Sequence, residues 1–135
     1  FNANSGKKLW SLKVGEVLTN GWGDGPRMSP SVSGKKVYAL GGKGNLVCVD
    51  IKSGKKLWQK SLVQDLGGKV PGWGYTESVL VDNGKIICKD CGIINCCTID
   101  GTAEWRFYGS EDTKSSDPTR CGLPVNNLLY NINIL

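Results

Sequence analysis

Lys52-Ser53-Gly54-Lys55-Lys56-Leu57-Trp58 repeats Asn4-Ser5-Gly6-Lys7-Lys8-Leu9-Trp10 almost residue for residue, 48 positions later. An eroded third copy, Asp100-Gly101-Thr102-Ala103-Glu104-Trp105, sets its tryptophan 47 positions after Trp58. A second register runs between these marks at an offset of 50. In it Gly34-Lys35, Val37, Gly42, Asn45, Val49 and Asp50 answer Gly84-Lys85, Ile87, Gly92, Asn95, Ile99 and Asp100. Gly21-Trp22-Gly23 finds its counterpart in Gly72-Trp73-Gly74. Three matches in one order define an internal repeat of about 50 residues, and such a period is the mark of a modular fold.

Each period reads as short strands. Lys36-Val37-Tyr38-Ala39-Leu40, Asn45-Leu46-Val47-Cys48-Val49-Asp50 and Lys56-Leu57-Trp58-Gln59-Lys60-Ser61-Leu62 are β-rich, with Gly41-Gly42-Lys43-Gly44 and Lys52-Ser53-Gly54 as hairpin turns. Shorter strands are expected at Pro30-Ser31-Val32 and at Glu77-Ser78-Val79-Leu80-Val81. Helical periodicity is absent, which argues against a βαβ fold. Four strands per period suit one propeller blade. The expected fold is therefore all-β, a partial β-propeller of four-stranded antiparallel blades. About eleven strands counted from Leu9 make roughly two and a half blades and an incomplete ring. The 135 residues form one domain, with repeat units at 1–30, 31–80, 81–127 and the start of a further blade at 128–135. Ser110–Leu135 reads as a degenerate blade or a long connection. Propellers close with about 4–8 blades, so other copies or blades are expected to complete the ring and cover its open edge.

Composition narrows the function. Nineteen glycines match many tight turns, and no apolar run reaches the ~18 residues of a membrane span. The formal charge of +5 comes partly from Gly-Lys-Lys turns at Gly6, Gly34 and Gly54. Lysines there form a solvated rim, and without aromatic-basic interleaving no nucleic-acid partner is expected. The chain contains no histidine, which removes the commonest general base and the Ser-His and Cys-His nucleophile pairs.

Asp50-x-x-x-Gly54-Lys55-x-Leu57-Trp58, preceded by Val37-Tyr38-Ala39-Leu40 and Leu46-Val47-Cys48-Val49-Asp50, resembles the pyrroloquinoline-quinone (PQQ)-type propeller repeat. Trp73-Gly74-Tyr75-Thr76-Glu77-Ser78 with Leu80-Val81-Asp82-Asn83-Gly84-Lys85 is similar to its secreted or periplasmic bacterial members. The resemblance is strong over 1–88 and weak over 89–135. It implies a periplasmic or extracellular location and a structural role for Trp10, Trp58 and Trp105, each docking onto the neighbouring blade. It also implies that the Gly-Trp-Gly loops approach the channel mouth, which makes Trp22, Asp24, Arg27, Trp73, Tyr75 and Glu77 the candidate binding residues.

The family divides into quinone-dependent alcohol dehydrogenases and cofactor-free binders. A dehydrogenase needs a planar quinone seat and a calcium held by carboxylate and amide oxygens. Asp24, Glu77 and Asp82 are present, but no such cluster is legible in the sequence. Cys88-x-x-Cys91 with Cys96, Cys97 and Cys121 invites a zinc or disulfide reading. Cys96 and Cys97 are strand neighbours facing opposite sides, however, and cannot share one metal. The expectation is thus a noncatalytic scaffold without cofactor or metal that binds a protein or ligand. The alternative is a segment of a dehydrogenase carrying PQQ and calcium.

Overall fold

The computed structural model describes the backbone of residues 1–90 and 93–108, and the side chains of residues 1–89 and 97–102. Eight strands occur among them. β1 (Ser31–Ser33), β2 (Lys36–Leu40), β3 (Asn45–Asp50) and β4 (Lys56–Ser61) make one antiparallel sheet in chain order. β5 (Leu80–Asp82), β6 (Lys85–Asp90), β7 (Ile93–Thr98) and β8 (Ala103–Tyr108) make a second of the same design. The all-β repeat of four-stranded blades is what the sequence predicts. Ser110–Leu135, read from the sequence as a degenerate blade or a long connection, lies outside the described residues, as do Cys91 and Cys121.

The ladders correct the internal alignment. Val37 pairs with Val49 across β2 and β3, and Ile86 pairs with Cys97 across β6 and β7. Val37 therefore corresponds to Ile86, and Cys97 to Val49. A fixed offset of 50 instead sets Val37 against Ile87 and Cys97 against Val47. Two local changes cause the slip: the turn glycine moves by one position in the first hairpin, and the second connection loses one residue, since five residues separate the paired Leu40 and Leu46 but four separate the paired Lys89 and Ile94. In the first hairpin of the second sheet, Asn83 and Gly84 carry positive φ (44° and 75°), and the two take the places of Gly34 and Lys35. Both φ values match the short turn preferred between twisted strands. Further on, the turn from Asp50 to Gly54 is answered by a tighter one, closed by Gly101 N–H donating to Thr98 O at 2.9 Å.

The Asp50 turn shows why Gly54 recurs. The Asp50 carboxylate accepts from Ser53 N–H at 2.8 Å and Ser53 Oγ at 2.6 Å, while Gly54 N–H donates to Asp50 O at 2.9 Å. Asn2 repeats the arrangement, accepting from Ser5 N–H on Oδ1 at 2.9 Å and from Gly6 N–H on its carbonyl at 2.8 Å. Gly54 sits at φ +71°, and a Cβ there would lie 2.5 Å from Trp10 Cγ. A glycine is required both for the left-handed backbone and for the indole above it.

That indole joins one repeat to the next. Trp10 Nε1 donates to Ile51 O at 2.9 Å, and Trp58 Nε1 donates to Ile99 O at 3.0 Å, each reaching 41 residues forward. Trp58 lies over Gly101 as Trp10 lies over Gly54. Trp105 holds the matching position on β8, opposite Cys96. Between the sheets, Tyr38, Leu40, Leu46 and Cys48 of the first pack with Leu62, Leu66, Val79, Ile86, Cys88 and Cys97 in one core. Burial pushes the Tyr38 hydroxyl up to about 12. Leu9 to Val14, the expected first strand, lies outside any ladder and makes no backbone hydrogen bond among the described residues.

Gly54→Ala should cost about 1–3 kcal/mol through overpacking against Trp10 together with strained φ. Trp58→Phe should cost about 1 kcal/mol, for the bond to Ile99 O, and Trp58→Ala about 3–5 kcal/mol. Urea unfolding checks all three. Hydrogen bonds from Ser53 hold the exposed Asp50 carboxyl below its usual range. Because that pKa is depressed by folding, its contribution to stability is present above the unfolded pKa and lost as pH falls through the folded one. Carbon-detected NMR titration should show Asp50 moving back toward the ordinary carboxylate value in Ser53→Ala.

Candidate functional site

The two Gly-Trp-Gly loops, 51 residues apart in the sequence, meet in space. In the first, Asn20 turns the chain: its Oδ1 accepts from Trp22 N–H at 3.0 Å and its carbonyl from Gly23 N–H at 3.1 Å. In the second, Gly74 N–H donates to Pro71 O at 2.8 Å. A Cβ on Gly74 would strike Leu18 and Gly42 O, so its glycine lets the two loops approach. Their indoles, Trp22 and Trp73, pack with ring centroids 4.9 Å apart and tilted by 57°.

Arg27 fastens the pair. Its Nε donates to Trp73 O at 3.0 Å, and Nη2 donates to Asn20 Oδ1 at 2.7 Å and Gly23 O at 2.8 Å. Asn20 Nδ2 adds a bond to Gly72 O at 3.3 Å. A guanidinium carries five N–H donors, so these bonds leave the two on Nη1 for another acceptor. Among the described residues no carboxylate forms an ion pair with Arg27, and its charge is set against neutral oxygens.

Trp22, Arg27 and Trp73 therefore form one cluster, with Trp22 71% exposed. Asp24 is exposed on the same loop as Trp22. Tyr75 points inward: it is 1% exposed and lies under Gly44, where a Cβ would be 2.7 Å from its ring. Glu77 is exposed and pairs with Lys89 at 3.4 Å. Asn20 is a site residue that the sequence pattern does not single out. Its one signal is its place just before Gly21, where asparagine is a common turn former. Among the described residues no group of three or more Cys, Asp or Glu is arranged to hold a metal ion, and no helix is long and apolar enough to cross a membrane.

Residues 1–121 match the family model described as outer membrane protein assembly factor BamB. The chain belongs to that family. The match to the BamB family runs past residue 88, where the sequence resemblance fades. The BamB of Bordetella pertussis is 26% identical over 106 residues, 78% of this chain and 24% of the relative. A shorter match, 35% identical over 57 residues, is to a putative transcription initiation factor IIB-like protein of Acanthamoeba polyphaga mimivirus; it covers 41% of this chain and 12% of the relative. The solved quinohemoprotein alcohol dehydrogenase of Comamonas testosteroni shares the fold at a TM-score of 0.50 and 22% identity, over 59% of this chain and 13% of its own. The chain thus spans a quarter or less of the length of each of these proteins.

Trp22→Ala removes a largely exposed ring and should change stability by no more than about 0.5 kcal/mol. Arg27→Met leaves part-buried loop oxygens without a donor and should cost about 1–3 kcal/mol. Thermal melts of the two variants beside the parent test this contrast.

Proposed function

We propose that this chain is a noncatalytic binding scaffold whose recognition face is built on the Trp22–Trp73 pair and Arg27, with Asp24 and Glu77 at its border and Tyr75 supporting it from below. The observation that carries this reading is the convergence of two repeat-related loops on an indole pair, with the Trp22 ring exposed and Trp73 half-buried, fastened by an arginine with donors to spare. Exposed tryptophan and arginine are the side chains most enriched at interface hot spots. Loops held on a rigid scaffold are the usual seat of recognition. The partner that fits is a protein segment offering an apolar side chain to the indoles and a carboxylate to Arg27 Nη1. Membership in a family named for outer membrane protein assembly supports a protein partner and a periplasmic or extracellular site of action.

A peptide-display selection against the immobilised chain should enrich segments that pair an aromatic or aliphatic residue with Asp or Glu. Trp22→Ala should weaken the selected peptides at least tenfold. The chain given PQQ, calcium and a primary alcohol should reduce no dye; turnover there would instead establish the dehydrogenase reading, as would retained peptide binding without Trp22 coupled to bound-quinone absorbance.

A second reading rests on the factor IIB match: part of the chain serves in transcription initiation. It requires promoter DNA to be bound or a polymerase to be contacted. Gel-shift titration with a promoter duplex at two salt concentrations separates the readings, because the scaffold should give only weak retardation that vanishes as salt rises.

A further inference from the structure

The hairpin turns at one end of the two sheets are joined into a single surface. Ile51 N–H donates to Lys35 O at 2.9 Å, which ties the β3–β4 turn to the β1–β2 turn. Ile99 N–H donates to Gly84 O at 3.0 Å in the matching place of the second sheet. Lys36 Nζ reaches across from the first sheet to Ile99 O at 3.5 Å. The Trp22–Trp73 loops lie at the other end, where Tyr75 N–H donates to Gly42 O at 2.9 Å in the β2–β3 turn.

Charge is divided unevenly between these ends. Lys7, Lys8, Lys35, Lys52, Lys55 and Lys56 are exposed on or beside the turns of the first end. Among the described residues none of the six forms an ion pair, and the pairs Lys13–Glu16 and Lys89–Glu77 both belong to the loop end. The carboxylates at the turn end are held by their own turns: Asp50 accepts from Ser53 N–H at 2.8 Å, Asp82 from Asn83 Nδ2 at 3.3 Å and Asp100 from Thr102 N–H at 3.0 Å. Two apolar side chains stand among the lysines. Ile51 is 39% exposed and Ile99 is 37% exposed, at turns 48 residues apart in the sequence. Each has its N–H bonded to a neighbouring turn and its C=O to an indole, so the side chain is the part left to solvent.

We infer that this turn end rests on an anionic phospholipid surface, with the lysines over the headgroups and Ile51 and Ile99 entering the boundary beneath them. Charge complementarity sets the sign of the partner, and the repeat sets its shape, because lysines carried on successive turns of a rigid stack meet a broad surface better than a narrow ligand. Lysine is a compact, strongly hydrated point charge that responds to charge density, and juxtamembrane lysines are drawn to anionic lipid in this way. Exposed isoleucines among basic groups add an apolar contact that a bilayer boundary accepts. Nucleic acid is served less well. Its bases stack on free aromatic rings, whereas the indoles of Trp10 and Trp58 are laid over Gly54 and Gly101. The site is separate from the Trp22–Trp73 face. A chain resting on its lysine end turns those loops away from the lipid, where a protein partner can reach them.

The probe is co-sedimentation of the full chain with vesicles of phosphatidylcholine and phosphatidylglycerol in equal amounts, beside vesicles of phosphatidylcholine alone. Binding to the anionic vesicles only is expected, falling steeply as salt rises from about 0.05 to 0.3 M and the Debye length shrinks. Lys52→Glu with Lys55→Glu should weaken it by about tenfold or more. Lys43→Glu with Lys69→Glu changes the net charge equally at the loop end and should leave binding nearly as it was, as should Trp22→Ala. Ile51→Ser with Ile99→Ser keeps every charge and should still weaken binding, by about threefold or more. Circular dichroism separates loss of fold from loss of site. As a measurement free of substitutions, anionic vesicles should shield Lys52 and Lys55 of the parent chain from an amine-acylating reagent and leave Lys43 and Lys69 reactive. Absence of binding to anionic vesicles overturns the inference, and so does equal loss in the two lysine pairs, which makes net charge the cause. Tighter binding to a DNA duplex than to the vesicles at the same salt overturns it in favour of nucleic acid.

Discussion

The contact on which the rest depends is an indole laid over a glycine turn in the next repeat. It combines three requirements that one residue type meets together: a broad apolar face, a donor at the ring edge and a stem that clears the strand. Trp10 and Trp58 each satisfy them, with Gly54 and Gly101 as the surfaces beneath. The dependence is directional. Each repeat places its tryptophan on the following one, so the earlier sheet leans on the turn of the later. Stability in such arrays is a sum of units and nearest-neighbour interfaces, and here the interface joins the docked indole to the apolar core shared by the two sheets.

Much of this is legible in the sequence alone. The Gly-Lys-Lys-Leu-Trp repeat exposes the dock because indole and glycine must both be kept for the contact to form, and each is distinctive in a sequence. Strand positions follow from β-rich runs between turn residues. The register inside the second sheet does not. The turn glycine moves by one position at Asn83-Gly84, and the β6–β7 connection is one residue shorter than the β2–β3 connection; a fixed offset carries both errors into the strands that follow. In a sheet a one-residue slip moves every side chain to the other face; Val37 against Ile87 is such a slip, whereas at Cys97 the two errors add to two residues, so it occupies the place of Val49 and not of Val47 on the same face.

The loop cluster is half legible. Paired Gly-Trp-Gly motifs mark the loops, and the exposed Trp22 and pinned Arg27 lie in them. What the sequence does not carry is the partnership. Arg27 binds carbonyl oxygens and an amide, and backbone oxygens leave no residue-type signature. Nor does it distinguish Tyr75 from Trp22, since both are aromatics beside a glycine. Only the space left by Gly44 draws Tyr75 into the core while Trp22 stays in solvent.

Across the first sheet, Tyr38, Cys48 and Trp58 stand in one row on neighbouring strands. Cys48 is fully enclosed, and burial raises its thiol above the ordinary range. Reagents that attack thiolates meet neither access nor ionised sulfur there. Alkylation of Cys48 must therefore wait for this blade to come apart. Its rate is a built-in clock for local opening, readable in a mixture and without any added label on the fold.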